Sequence, residues 1–378
     1  GQGWRMLVEC LSVGRAISLP SNATGGVKMA AATAGAYARI RKQFQMPIGR
    51  FEGIEEALAR VGGYTYAIGA LSRMTAHAVD QGEKPAVPSA IAKYHATELG
   101  REIIKDAMDI HAGKGVILGP RNYLGRAWEG APISITVEGA NILTRSMIVF
   151  GQGAVRCHPY VLKEMQAAAL PDARERLQAF DTLIWSHVGF ALSNAARAFL
   201  LGLVHARFGA APAGAYTAKF YRKLGRYSAT LALVADTAML TLGGKLKQKE
   251  RLSARLGDVL SALYMGSAML KRYEDQGRPA ADEPLLAWAM HDQIHRIQVA
   301  LDGVLRNFPI RPVAWLLRVL VFPLGLREKA PGDRLGHRVA SAMMTPSDTR
   351  VRLAEGIYYG EGPRHPVGQL EIALPKVI

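Results

Sequence analysis

Tyr37-Ala38-Arg39-Ile40-Arg41-Lys42-Gln43-Phe44-Gln45-Met46-Pro47-Ile48-Gly49-Arg50-Phe51 is the stretch on which the fold turns. Apolar residues recur at helical spacing from Thr33 to Phe44, Pro47-Ile48-Gly49 interrupts them, and the same spacing resumes from Gly53 to Val79. The spacing predicts a helix, a break and a second helix, with no strand between. Working outward, Ala90 to Ile110 gives a third helical run after Gly82-Glu83-Lys84-Pro85, and Gly113-Lys114-Gly115 stops it. A loop passes through Gly119-Pro120, and Val137-Glu138-Gly139 enters another apolar helical run that ends near Gly151-Gln152-Gly153. Beyond His158-Pro159, the runs Ala191 to His205, Tyr216 to Leu242, Leu246 to Tyr273 and Leu285 to Phe308 repeat the helical period. Alternating Val/Ile/Thr pieces are short, as in Ile133 to Val137. The expectation is an all-α chain of two helical domains, residues 1–157 and 158–378.

Of the 378 residues, 49% are hydrophobic and 21% charged, the balance of a packed globular protein and not of a disordered tail. Cys10 and Cys157 are the two cysteines, too few and too far apart for a disulfide framework or a thiolate zinc site, so a reducing, cytoplasmic setting is the default. The formal charge is +16, with most of the excess after Val155, which implies an anionic partner without choosing among nucleic acid, membrane and phosphate-bearing cofactor. No run of 18 apolar residues occurs, which argues against a spanning helix. The start Gly1-Gln2-Gly3-Trp4 has neither an initiator methionine nor a secretory leader, as expected of a fragment.

Most isolated motifs read as ordinary structure. Gly113-Lys114-Gly115-Val116 and Gly243-Gly244-Lys245-Leu246 lack the hydroxyl of a P-loop, and no G-x-S-x-G elbow is present. His291 and His295 stand one turn apart, but Asp292 replaces the glutamate of H-E-x-x-H and no third ligand follows, so no metal site is expected. Lys219 to Arg226 and Lys245 to Arg251 read as solvated basic faces, and no nucleic-acid-binding pattern surrounds them. Arg311 to Lys329 mixes Trp315, Leu316, Leu317, Val319, Leu320, Val321 and Phe322 with Arg311, Arg318, Arg327 and Lys329. It suits either an anionic bilayer interface or a helix closing the second domain.

Four pieces of the first half, in order, carry more. Tyr37 to Phe51 resembles the Y-A-x-x-R-x-x-F-G-x-P-I signature of acyl-CoA dehydrogenases, and Ala90-Ile91-Ala92-Lys93 resembles their A-I-A-K helix. Asp109-Ile110-His111-Ala112-Gly113-Lys114-Gly115 resembles their Q-x-x-G-G-x-G turn, and Val137-Glu138-Gly139-Ala140-Asn141-Ile142-Leu143-Thr144-Arg145 their E-G-T-x-x-I-x-R segment. The resemblance covers residues 1–153. The region after His158 resembles, more loosely, the additional helical domain of large bacterial members of the FadE type, including Leu317 to Gly325 and Leu335 to Arg350.

The resemblance implies a C-terminal four-helix-bundle domain followed by an all-α accessory domain, with about the first half of the enzyme absent. It implies oxidation of medium- or long-chain acyl-CoA to trans-2-enoyl-CoA, with FAD as cofactor and Glu138 as the base. Removing an α-proton from a thioester needs a carboxylate in a water-poor site, where burial raises its pKa. Some relatives place the base earlier, before an arginine; that position is Gly14, before Arg15, and glycine cannot serve. Arg15, Val137 and Gly139 would lie along the thioester. Arg41 and Phe44 would meet the diphosphate and adenine side of a neighbouring subunit's FAD, and Asp109, Gly113 and Gly115 the same dinucleotide. Asp109 stands where glutamine is usual, and Ala140, expected beside the flavin, lacks the usual threonine hydroxyl. Implied partners are an electron-transfer flavoprotein, a second copy of the chain in a homodimer, and an anionic inner-membrane surface touched peripherally. A non-catalytic helical binding protein on the same fold is the alternative, and the isolated segment is expected to be inactive.

Overall fold

In the computed structural model, residues 1–212, 216–360 and 365–377 are described, with the backbone alone for residues 4–5, 7–9 and 11–13. Three long helices come first: α1 (Gly3–Ile40), α2 (Glu52–Asp80) and α3 (Ala86–His111), each packed on the other two. Their inner faces explain the closeness. α1 buries Ala30, Ala31, Ala34 and Ala38, small enough to let backbones approach, while Leu58, Val61, Ile68 and Leu71 of α2 and Ile91, Ile103 and Ala107 of α3 fill the space between. Full burial of each Leu, Ile or Val side chain is worth about 1.5–3 kcal/mol. A fourth helix, Asp333–Met344, packs on α1 and α2 from the far end of the sequence. It comes so near that a Cβ at Gly35 would lie 2.2 Å from the Met343 carbonyl oxygen. Gly63 likewise leaves room for the Trp288 ring, which a Cβ would meet at 2.0 Å.

The deciding stretch departs from its expected form in one respect. Helix α1 ends at Ile40, not Phe44, and residues Lys42–Gln43 (β1) and Met46–Pro47 (β2) pair antiparallel. Phe44 and Gln45 form the two-residue turn with φ of 49° and 64°. Two left-handed residues match the twist of a tight hairpin, a conformation helical periodicity does not reveal. The short alternation Ile133 to Val137 ends a helix, Gly125–Thr136, in keeping with the all-α expectation. After Asn141 a helical run continues to Arg156 with a π-helical stretch, Thr144–Phe150, in its middle.

The chain forms two compact units that are not continuous in sequence. One comprises residues 1–141, 268–292 and 329–378; the other comprises 142–267 and 293–328. The reason is that helices Glu250–Asp275 and Glu283–Arg306 each contribute to both, and the chain after Glu328 returns to the first. In the second unit, Ala173–Leu203 is capped by Asp172, whose carboxylate accepts the amides of Arg174 and Glu175. Its core gathers Phe220, Tyr227, Val234, Leu256, Met265 and Leu301. Against the expectation of no spanning segment, residues 218–248 are long and apolar enough by length and composition to cross a membrane. Within that stretch Phe220, Arg226, Tyr227 and Val234 are buried.

Candidate active site

The turn between helices Gly125–Thr136 and Asn141–Leu143 carries Glu138 in a left-handed conformation, φ 53°, followed by Gly139 at φ 97°. A non-glycine residue held there stores on the order of 1–3 kcal/mol of strain and persists only when its surroundings impose it. Two cations do so. Arg15 Nε donates to the Glu138 carbonyl at 2.9 Å, and Lys93 Nζ donates to the Gly139 carbonyl at 2.8 Å and to Asn141 Oδ1 at 2.6 Å. Asn141 Nδ2 in turn donates to Thr97 Oγ1 and Glu98 Oε1, both at 2.9 Å, so the turn is tied to two turns of α3.

The carboxylate itself is left available. Glu138 Oε2 is buried with no hydrogen-bond partner among the described residues. A Cβ at Gly14 would lie 3.8 Å from Glu138 Oε1, so the position of the alternative base and the present one converge on one place. Burial lowers the pKa of Arg15, with Glu138 opposing. Burial first, then Arg15, brings Lys93 down to about 8 against the pull of Glu138 and Glu98. Val137 and Gly139 flank the carboxylate as exposed residues, and Ala140 is half-buried.

Sequence reasoning missed Lys93 and Asn141 as holders of this turn, although Lys93 was read within its helix motif. A lysine closing the apolar run Ala90-Ile91-Ala92 was the signal, since its burial demands acceptors close by.

Tyr37, in the last turns of α1, stacks on His111 at the end of α3, with centroids 4.3 Å apart. This brings the hairpin carrying Phe44 and the turn carrying Gly113 to one end of the bundle. His111 is buried, its Nδ1 facing the Ala107 carbonyl and its Nε2 the Tyr123 hydroxyl, both at 2.7 Å. Burial holds it down to about 4, so it is neutral near pH 7. Arg41 and Asp109 are exposed, Phe44 is 88% exposed with its edge toward Phe51, and a Cβ at Gly113 would meet nothing. Gly115 differs: it is buried, and a Cβ there would stand 3.2 Å from the Met108 carbonyl of α3, a tight contact that a glycine avoids. An uncovered guanidinium, an uncovered ring and an open glycine fit the phosphate and adenine of a dinucleotide, while the carboxylate of Asp109 does not favour a diphosphate.

Other motifs find structural partners. Lys223 pairs with Glu328 at 2.5 Å and Arg226 donates to the Val321 carbonyl at 3.0 Å, so the first basic stretch turns part of its charge inward. His295 Nδ1 sits 3.0 Å from the Glu328 carbonyl. Among the described residues, the groups that gather as a ligand-like set are His158, His187 and Asp236. His158 Nδ1 accepts the amides of Tyr160 and Val161, which leaves the proton of the neutral ring on Nε2, 2.8 Å from Asp236 Oδ1. In that tautomer His158 offers no lone pair to an ion there. In 311–329, Arg311–Val321 is helical, burying Ala314, Leu317 and Val321 and exposing Trp315, Leu316 and Val319, while Arg318 reaches Asp302. One helix therefore has both a packed face and an open apolar face.

Comparison with known proteins bears on the family and the fold. Residues 1–151 match the acyl-CoA dehydrogenase C-terminal domain, and residues 155–378 the C-terminal domain of bacterial-type acyl-CoA dehydrogenases. The chain is 37% identical over 148 residues to a 3-(aryl)acrylate reductase of Clostridium sporogenes, 39% of this chain and 38% of that protein. It is 30% identical over 149 residues to an acryloyl-CoA reductase (NADH) of Anaerotignum propionicum, 39% of this chain and 37% of that protein. The matches span under two fifths of those relatives. An acyl-CoA dehydrogenase from Bacillus anthracis, solved with FAD, shares the fold with a TM-score of 0.69 at 18% identity, over 91% of this chain and 57% of that one. The two matched regions, which together span nearly the whole sequence, place the chain in the acyl-CoA dehydrogenase family.

Proposed function

We propose that this chain supplies the catalytic base of an FAD-dependent enzyme that oxidises medium- or long-chain acyl-CoA to trans-2-enoyl-CoA in fatty-acid β-oxidation. The observation that carries the reading is the Glu138 carboxylate, held on a strained turn with a buried, unbonded oxygen. Glu138 takes the proton from the α-carbon; the electron pair of that C–H bond becomes the α,β double bond, and the β-hydrogen departs as hydride. FAD, when bound, supplies the acceptor for that hydride. Arg41 and Phe44 would hold its diphosphate and adenine, and Gly113 would leave room beside them. Arg15 and Lys93 fix the backbone on either side of the carboxylate, so that little reorganisation accompanies proton transfer.

The relatives named as reductases favour a second reading, the same couple run in reverse, in which Glu138 returns its proton to the α-carbon. Turnover of palmitoyl-CoA with an electron-accepting dye, measured on the complete enzyme beside reduction of a 2-enoyl-CoA by NADH, separates the two. Dehydrogenation is expected to be the faster by at least tenfold, and the opposite ratio would assign the chain to the reductases.

The reading extends to an electron-transfer flavoprotein as acceptor, a homodimer, and peripheral contact with the inner membrane from the cytoplasm through Trp315, Leu316 and Val319. Flotation with vesicles containing anionic lipid is expected to carry the protein and to be lost in Trp315→Glu. Equal flotation of both proteins would remove that face from the account.

A further inference from the structure

A second concave site lies away from Glu138, where the middle of α1 and the second half of α2 meet residues 355–357. It encloses about 500 Å³ and is lined by Ser21, Thr24, Lys28, Ser72, Arg73 and Arg272, with Glu355 as the one carboxylate among its described lining residues. That volume is within the range of small-ligand pockets. Three cations thus face one another across a cleft with a single acid to balance them.

Their present partners are mostly backbone. Lys28 Nζ donates to the Glu355 carbonyl at 2.7 Å; Arg272 donates to the carbonyls of Tyr66 at 3.1 Å and Arg352 at 3.3 Å and lies over the Tyr66 ring. Arg73 reaches Glu355 Oε2 at 3.7 Å, with both side chains largely exposed. Carbonyl dipoles orient a cation without neutralising it, so a positive excess remains at the cleft. Burial first, then Arg272, pushes Lys28 down, with Arg73 adding to the effect and Glu355 opposing it. Burial likewise lowers Arg272, against the pull of Tyr66, Asp282 and Glu355, with Arg73 adding to the lowering.

The walls allow close approach. A Cβ at Gly25 would meet nothing, so the α1 side is open backbone, and the absent side chain of Gly69 admits the Arg272 guanidinium, 2.9 Å from where a Cβ would stand. Guanidinium groups bind phosphate oxygens in pairs, a lysine adds a point charge, and the hydroxyls of Ser21 and Ser72 provide neutral donors.

We propose that this cleft binds a diphosphate-bearing anion, held by Lys28, Arg73 and Arg272. Free pyrophosphate and the diphosphate of a nucleotide share that chemistry. Nothing in the inference depends on the reaction assigned to Glu138.

Calorimetric titration of this chain with inorganic pyrophosphate and with ADP, at matched ionic strength, tests it. Saturable one-to-one binding is expected, with amide shifts at Gly25, Gly69 and Gly356 by NMR. Arg73 is exposed, so Arg73→Gln leaves the fold intact, which circular dichroism checks; it is expected to weaken binding about tenfold, the loss of one charge-assisted contact. Glu355→Gln removes the competing carboxylate but keeps the carbonyl that holds Lys28, and is expected to tighten binding. ADP binding tighter than pyrophosphate identifies a nucleotide; equal or weaker ADP binding identifies the free diphosphate. Absence of saturable binding by either, or unchanged affinity in Arg73→Gln, would overturn the proposal.

Discussion

Glu138→Gln in the complete enzyme is expected to lower palmitoyl-CoA turnover by about three orders of magnitude while FAD content stays the same, within the range a positioned general base contributes. The amide is nearly isosteric, accepts no proton at neutral pH and leaves the backbone bonds from Arg15 and Lys93 untouched. The loss therefore reports proton transfer and not misfolding. Glu138 is the carboxylate that acts on Arg15, and Gly14 has no side chain to substitute. Dye reduction measured together with the flavin absorbance of each preparation checks the expectation; turnover within threefold of the parent would move the base elsewhere.

Lys93→Met is expected to be the most damaging change outside the carboxylate. Methionine fills much of the volume but leaves the buried Asn141 Oδ1 and the part-buried Gly139 carbonyl without their donor. Stranding such acceptors costs about 1–3 kcal/mol, and the strained conformation at Glu138 loses one of its two restraints. A lower midpoint in urea is expected, together with turnover reduced about tenfold to a hundredfold, the usual result of misplacing a reacting group. Asn141→Ala, which keeps the Gly139 bond, should fall between Lys93→Met and the parent in both measurements. Parent-like turnover in Lys93→Met would show that the turn holds itself.

The helices were legible because their apolar faces repeat at the helical period, and burial of Leu58, Ile68, Ile91 and Ile103 follows that pattern. The hairpin at Phe44 was not, since left-handed backbone at Phe44 and Gln45 leaves no mark on periodicity. Nor was the return of residues 329–378 to the first unit, which rests on contacts such as Met343 with Gly35, remote in sequence. In the site, the resemblance set Arg15 and Glu138 along one thioester, and the structure joins them at 2.9 Å through the backbone. The supporting network of Lys93, Asn141, Thr97 and Glu98 was not, because hydrogen bonds between α3 and a turn over forty residues later follow from the packing of the bundle.

The most direct test of the central claim is relocation of the carboxylate. Because a side chain at Gly14 would enter the space beside Glu138, turnover of palmitoyl-CoA should be compared among the complete enzyme, Glu138→Gly, and Glu138→Gly combined with Gly14→Glu. The account predicts that the single variant is nearly inactive and that the combined variant regains at least tenfold over it, with flavin retained in all three. Substantial turnover by Glu138→Gly alone would contradict it.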